Sequence, residues 1–300
     1  MVRQGLHPLS RVGSRKNAIR MDIYGFLSAP LSLRLLQSPL PMTQRPSRTV
    51  TTFPVAAIER IRYAIQKMQE PLQELPDGWS ISPVDPNWVL ALFPTLRLRD
   101  GRRLIAYQYV AGGNGNGFVF AWPNDTPVPE PPADRESSPF CMERFMARLH
   151  SGPAAEDAGE HLSSGVMQAI EGDGSARSYL DASLFCREIH EFGALWHGTD
   201  WGTHRLIDRD PFTEGILVHG GDRGSRTRLE PAGWMWEGDV LREWLPAVTM
   251  TENESRVEFS TYSGLGLESL NLHCDTYTRG RYVCRSTLRC IARGFRGYVF

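Results

Sequence analysis

The chain reads as an α+β protein in which antiparallel sheet, assembled from two β-meanders, carries three or four packed helices. Three observations predict this. Apolar residues recur at helical spacing over Ile58, Ile61, Ile65 and Met68, and again over Phe185, Ile189, Phe192 and Trp196. Alternation of period two runs from Trp79 to Trp122 and from Arg256 to Ala292. Asp100-Gly101 is a tight-turn signal between two alternating runs, as adjacent antiparallel strands require.

The first helix is expected after Thr52 as cap, with Pro54 in its first turn and Pro71 as its stop. Strands follow at Trp88–Phe93, Leu96–Arg99, Arg102–Val110 and Phe118–Trp122. The run Gly112-Gly-Asn-Gly-Asn-Gly117 lacks the spacing of a phosphate loop, so it reads as a turn needing positive φ. Residues 123–139 hold six prolines with acids between them, an extended solvated connector. Ser138 and Pro139 open a helix that closes at His150–Pro153. The longest helix is expected from Ser178, paired with Asp181 as a capping box and burying one stripe that includes Asp181. A mostly β region completes the chain: Gly215–His219, a short helix at Asp239–Leu245, then Arg256–Tyr262, Glu268–Tyr277 and Arg281–Ala292. In the last hairpin the apolar even-numbered set (Leu270, Leu272, Cys274) predicts an even register sum. That gives a three-residue Thr278-Arg279-Gly280 loop and sets Cys274 opposite Cys284.

The formal charge of -1 hides two unlike parts. Residues 1–52 carry eight basic side chains and one acid, +7, and read as a disordered N-terminal extension, a targeting segment or a mis-set start. Residues 53–300, at -8, form the single α+β domain. The longest apolar run, Trp88–Phe93, is far too short to span a bilayer, so membrane insertion is not expected. Five cysteines without a C-x-x-C pair point to reduced thiols and a cytoplasmic protein.

Candidate chemistry gathers after the long helix. His190-Glu-Phe-Gly-Ala194 misses the zinc-protease helix because Ala194 stands where the second histidine must be. His190, His197, Asp200 and His204 remain as an acid/base set, and His197, Asp200 and His204 have donor types that suit a divalent metal. Trp196 and Trp201 in the same Gly-rich loop suit stacking on a small ligand or a protein partner. The last 25 residues hold six arginines and no acid. Arg281, Arg285 and Arg289 would share one face of the final strand, beside His273 and Tyr277, as a phosphate-binding footprint. The acidic body weighs against nucleic acid as the partner. Asp208-Arg-Asp210 is a second candidate cation pattern, and no nucleophile elbow or thiol–histidine pair is present. The leading functional expectation is a binding or protein-interaction module using loop 196–204. The alternative is a hydrolase-like enzyme at His190, His197, Asp200 and His204, and phosphate or nucleic-acid binding on the arginine hairpin comes third.

Overall fold

The computed structural model describes residues 47–131, 162–217, 225–237 and 241–299. Most of the basic N-terminal segment and the helix expected after Pro139 lie outside them. The fold is α+β with antiparallel sheets and four α-helices among the described residues: α1 (Val55–Gln69), α2 (Pro86–Ala91), α3 (Leu162–Gln168) and α4 (Ala176–His190). The larger sheet runs β1 (Thr49–Thr52), β11 (Ala247–Met250), β12 (Glu254–Ser263), β13 (Ser269–Thr278), β14 (Cys284–Arg293) and β10 (Met235–Trp236). In addition, β7 (Arg205–Ile207) pairs with β12. The smaller sheet is β2 (Gly78–Ile81), β4 (Arg102–Ala111) and β5 (Asn114–Pro123). Two short pairs complete the strands: β3 (Leu96–Leu98) with β6 (Ile170–Gly172), and β8 (Ile216–Leu217) with β9 (Arg226–Thr227).

Helix α4 (Ala176–His190) is enclosed between these layers: Ser178 through Phe185 are all buried. It is therefore covered all round, where the periodicity predicted a single stripe. Its cap is Ser175, whose hydroxyl accepts from Ser178 N–H at 3.1 Å. Ser178 is thus inside the helix rather than at its start. Asp181 makes no capping box; it accepts from Thr95 Oγ1 and Arg177 Nε, both at 2.7 Å. Helix α1 (Val55–Gln69) buries Ile58 and Ile65 as expected. Thr52 does not cap it, because residues 49–52 pair with β11 as an edge strand, so paired structure starts inside the segment expected to be an extension.

Four further differences have local causes. Trp88–Phe93 is not a strand: Asp85 caps helix α2 (Pro86–Ala91) by accepting from Asn87 N–H at 2.9 Å, and Pro86 supplies the first turn. Gly101 makes the expected turn at φ 76°, yet β3 leaves it to pair with β6 instead of β4. Residues 241–245 are not helical. The first part of the 123–139 connector is only partly solvated; it is held against the smaller sheet, with Tyr107 Oη donating to Pro129 O at 2.7 Å.

The terminal hairpin departs most. Tyr277 faces Cys284 and Cys274 faces Thr287, an odd register sum, and the connection is 279–283. Tyr282 causes it. Its ring leaves the strand line to stack on Tyr179 at 5.1 Å, while its hydroxyl accepts from Gly174 N–H at 2.9 Å and donates to Ser178 Oγ at 2.8 Å, whose own hydrogen goes to Ser175 O. Gly280 keeps the expected left-handed conformation. In β13 the odd set Asn271, His273, Asp275 and Tyr277 is buried, while on the other face Leu270 and Leu272 pack into a second, smaller core with Ile207 and Ile291, and Cys274 is half-buried.

Gly112 and Gly113 turn the β4–β5 hairpin at φ 57° and 86°, a two-residue connection that only glycine adopts freely. Gly117 serves another purpose, since a Cβ there would stand 2.3 Å from Phe192 O. Gly117→Ala should therefore push the 192–198 segment off the hairpin and lower stability by about 1–3 kcal/mol. Urea unfolding measures this; an unchanged midpoint would show that the two segments are not in contact.

Candidate functional site

The loop after α4 is built on that glycine hairpin. Gly117 N–H donates to Phe192 O at 2.8 Å, Leu195 N–H to Gly115 O at 2.9 Å, and His197 N–H to Asn114 Oδ1 at 3.3 Å. Between these anchors Trp196 sits at φ 49°, the one non-glycine residue with positive φ among those described. Its side chain is 64% exposed. A left-handed aromatic residue costs about 1–2 kcal/mol and persists only where its surroundings hold it.

The other end of the loop is clamped inside. Trp201 is buried, its Nε1–H donating to Glu188 Oε1 at 2.8 Å, with the Arg62 guanidinium 4.2 Å above its ring. Arg62 reaches this point from the buried face of α1. Its Nε donates to Glu188 Oε1 at 3.1 Å, and its terminal nitrogens donate to His204 O at 2.6 Å and Trp201 O at 2.8 Å. One guanidinium thus ties two helices and the loop together.

A polar chain leads from the loop into the sheet. Asp275 and Arg187 form a buried pair at 2.5 and 3.0 Å, and Arg187 faces His273 Nδ1 at 3.4 Å. His273 Nε2 lies 3.0 Å from Thr261 Oγ1, which lies 2.8 Å from His204 Nδ1. Guanidinium can only donate, so His273 Nδ1 must accept and Nε2 carries the proton. Thr261 therefore accepts from His273 and donates to His204 Nδ1. That leaves the His204 proton on Nε2, 3.7 Å from Asp200 Oδ1. Burial, and then the positive Arg187, push His273 down to about 2, so it stays neutral.

Glu191 ends α4 and holds the loop by its backbone: Asp200, Trp201 and Gly202 N–H groups donate to its carboxylate. Burial nevertheless pushes its pKa up to about 7. A carboxyl raised from 4.5 favours the fold below 4.5, and that contribution is lost as pH rises through 7. His273 acts oppositely: its contribution is complete above 6.5 and declines as pH falls toward 2. Between 4.5 and 6.5 the two protons offset one another. Glu191→Gln should therefore lose stability, relative to the native chain, as pH falls from about 7 to 4.5, by about 1.4 kcal/mol per unit. Parallel pH profiles of the two proteins in urea would contradict the assignment.

Of the residues expected to form a site, the structure brings Asp200 and His204 together. His190 is exposed at the end of α4, where it helps line a shallow pocket of about 210 Å³ with Ile189 and residues 116–120 of β5. His197 is exposed beside Trp196. Among the described residues no three His, Cys, Asp or Glu side chains converge as a metal site. Of the expected divalent-metal set His197, Asp200 and His204, only Asp200 and His204 approach one another, and His204 Nδ1 is taken by Thr261. Trp201 is buried, so of the two tryptophans expected to meet a partner Trp196 is the exposed one. Asp208 is occupied by a two-pronged pair with Arg226 at 2.8 and 2.7 Å, and Asp210 caps a turn by accepting from Phe212 N–H. Arg281 falls in the loop before β14, leaving Arg285 and Arg289 exposed on the strand. His273 and Tyr277 point to the opposite, buried face, so they give those arginines no stacking platform.

Sequence reasoning missed Arg62, Arg187, Glu188, Glu191, Thr261, His273 as a core group, and Asp275. A readable signal existed for Arg62, which lies between Ile58 and Ile65 on the apolar face of its helix. No helix among the described residues is long and apolar enough to cross a membrane. Compared with known proteins, the chain matches no family model, no curated protein and no solved structure.

Proposed function

We propose that this is a soluble, cytoplasmic binding protein whose ligand, a protein segment or a small molecule, docks on Trp196 and the hairpin that supports it. The observation that carries this reading is the exposed Trp196 ring at φ 49°, braced by hydrogen bonds to Gly115 and Asn114 on either side. A strained backbone that presents an apolar ring to water is a cost to the fold that a ligand would offset. Asn116 extends the surface: it lies against Gly198 of the loop and also lines the pocket beside His190. Four cysteines in the described residues are unbonded, which suits a reducing compartment.

The test is a screen of peptide and glycan arrays with the native chain, repeated with Trp196→Ala and Trp196→Phe. A true ligand should lose at least about tenfold in affinity with alanine and less with phenylalanine, with thermal unfolding unchanged. A ligand held equally by Trp196→Ala would remove the basis of the reading.

The 3.7 Å approach of Asp200 to His204 favours a second reading, acid/base chemistry at the loop. The tautomer set by Thr261 puts the His204 proton toward Asp200, so His204 would act as a donor rather than a base. A hydrolase panel in which His204→Asn and the native chain behave alike would dispose of it.

A further inference from the structure

The smaller sheet has two unlike faces. Leu104 and Ala106 of β4 join the main core, and Val110 on the same face is buried. The opposite face is aromatic, with Tyr107 and Tyr109 from β4, Phe118, Phe120 and Trp122 from β5, and Trp79 from β2. Ring centres lie 5.0 Å apart for Trp79–Tyr109, 5.6 Å for Trp79–Phe118 and 6.1 Å for Tyr107–Phe120. After β5 the chain turns back across this face as Thr126-Pro-Val-Pro-Glu-Pro131.

Three donors from the face meet that segment. Trp122 Nε1–H and an Arg103 terminal nitrogen donate to Thr126 O at 3.1 and 3.2 Å, and Tyr107 Oη donates to Pro129 O at 2.7 Å. Val128 packs on Ile105 and Tyr107. The two accepting carbonyls are three residues apart, which is one turn of a polyproline II helix, so both face the sheet while the side chain between them fills the aromatic floor. Prolines suit this arrangement for a physical reason: they carry no N–H to satisfy, and their extended form loses little entropy on docking.

We propose that this aromatic face is a recognition surface for extended proline-rich chain. The protein's own 126–131 segment occupies it in cis, and an acidic proline-rich segment of a partner protein takes the same place when that segment is lifted. The surface does not include the Trp196 loop, although Phe118 and Phe120 also line the pocket beside His190, and the proposal stands or falls without that loop. The resident segment competes at an effective concentration of about millimolar, so binding in trans is suppressed in the native chain.

The probe is a fluorescein-labelled peptide of residues 124–131, Asn-Asp-Thr-Pro-Val-Pro-Glu-Pro, followed by anisotropy. A full-length variant with Pro127→Ser, Val128→Ser and Pro129→Ser should bind it at least about tenfold more tightly than the native chain. Adding Tyr107→Phe should reverse the gain several-fold, and a peptide with its prolines replaced by alanine should not bind. Equal binding of the alanine peptide would overturn the proposal, as would no binding by a variant that unfolds like the native chain. A native chain that sediments as a dimer and dissociates only in the triple variant would show a segment exchanged between copies, and would overturn the assignment to a different partner. Should the triple variant fail to fold, Tyr107→Phe alone should speed proteolysis within 124–131; an unchanged cleavage rate there would overturn the cis docking.

Discussion

Replacing Arg62 with methionine should destabilise the fold by about 3–5 kcal/mol. Methionine keeps most of the apolar stem and removes every donor. Glu188 would retain only Trp201 Nε1–H at 2.8 Å, and the carbonyls of Trp201 and His204 would lose their Arg62 donors within the core. An unsatisfied buried acceptor costs about 1–3 kcal/mol, more when charged, so losing these three contacts together with the longer one to Glu59 at 3.4 Å exceeds the gain from one desolvated guanidinium. Lysine should not rescue, because one ammonium cannot reach three acceptors lying in the plane of a fork. The loop should fail first. Hydrogen exchange at residues 196–204 should accelerate under conditions where the sheet is still protected, and urea unfolding should show the global loss. A loss below about 1 kcal/mol would mean that water already serves these acceptors.

The parts of this fold that the sequence made legible are those governed by local period. The helix over Ile58 to Ile65, the alternating β4 and β5, and the three long C-terminal strands all follow from residue spacing. The failures come where a distant partner outranks local hydrophobicity. In β13 the apolar Leu270 and Leu272 do pack into a second core, but their spacing gave no sign that α4 delivers Arg187 and Ser183 to the other face, where they bond Asp275 and Tyr277 and bury it too. In the same way Tyr282 leaves its strand because Tyr179, about a hundred residues earlier, offers a stacking partner. For the site, the loop 196–204 was visible as a Trp/His/Gly cluster. Which tryptophan it exposes was not, because that depends on the α1 arginine and the glycine hairpin gripping it from opposite sides.

Asp275→Ala should also cost about 3–5 kcal/mol, through a different route. Its carboxylate is fully buried and closes a two-pronged pair with Arg187. Removing it leaves a guanidinium among aromatic rings, 5.0 Å from Phe259 and 5.7 Å from Trp201, with Ser183 O as its remaining strong acceptor. The charge is then uncompensated in a low-dielectric interior, where the group cannot neutralise itself by losing a proton. Two further variants separate pairing from packing. Arg187→Met alone leaves Asp275 buried and charged, and should cost a similar amount. The double variant Arg187→Met with Asp275→Leu removes both charges and should recover most of the loss, giving a coupling of several kcal/mol in a double-mutant cycle. Arg187 also helps hold His273 neutral, so either variant lacking Arg187 should move the His273 proton uptake to higher pH and soften the acid limb of the stability profile. Additive single losses with an unchanged acid limb would show that Asp275, Arg187 and His273 do not act as one chain.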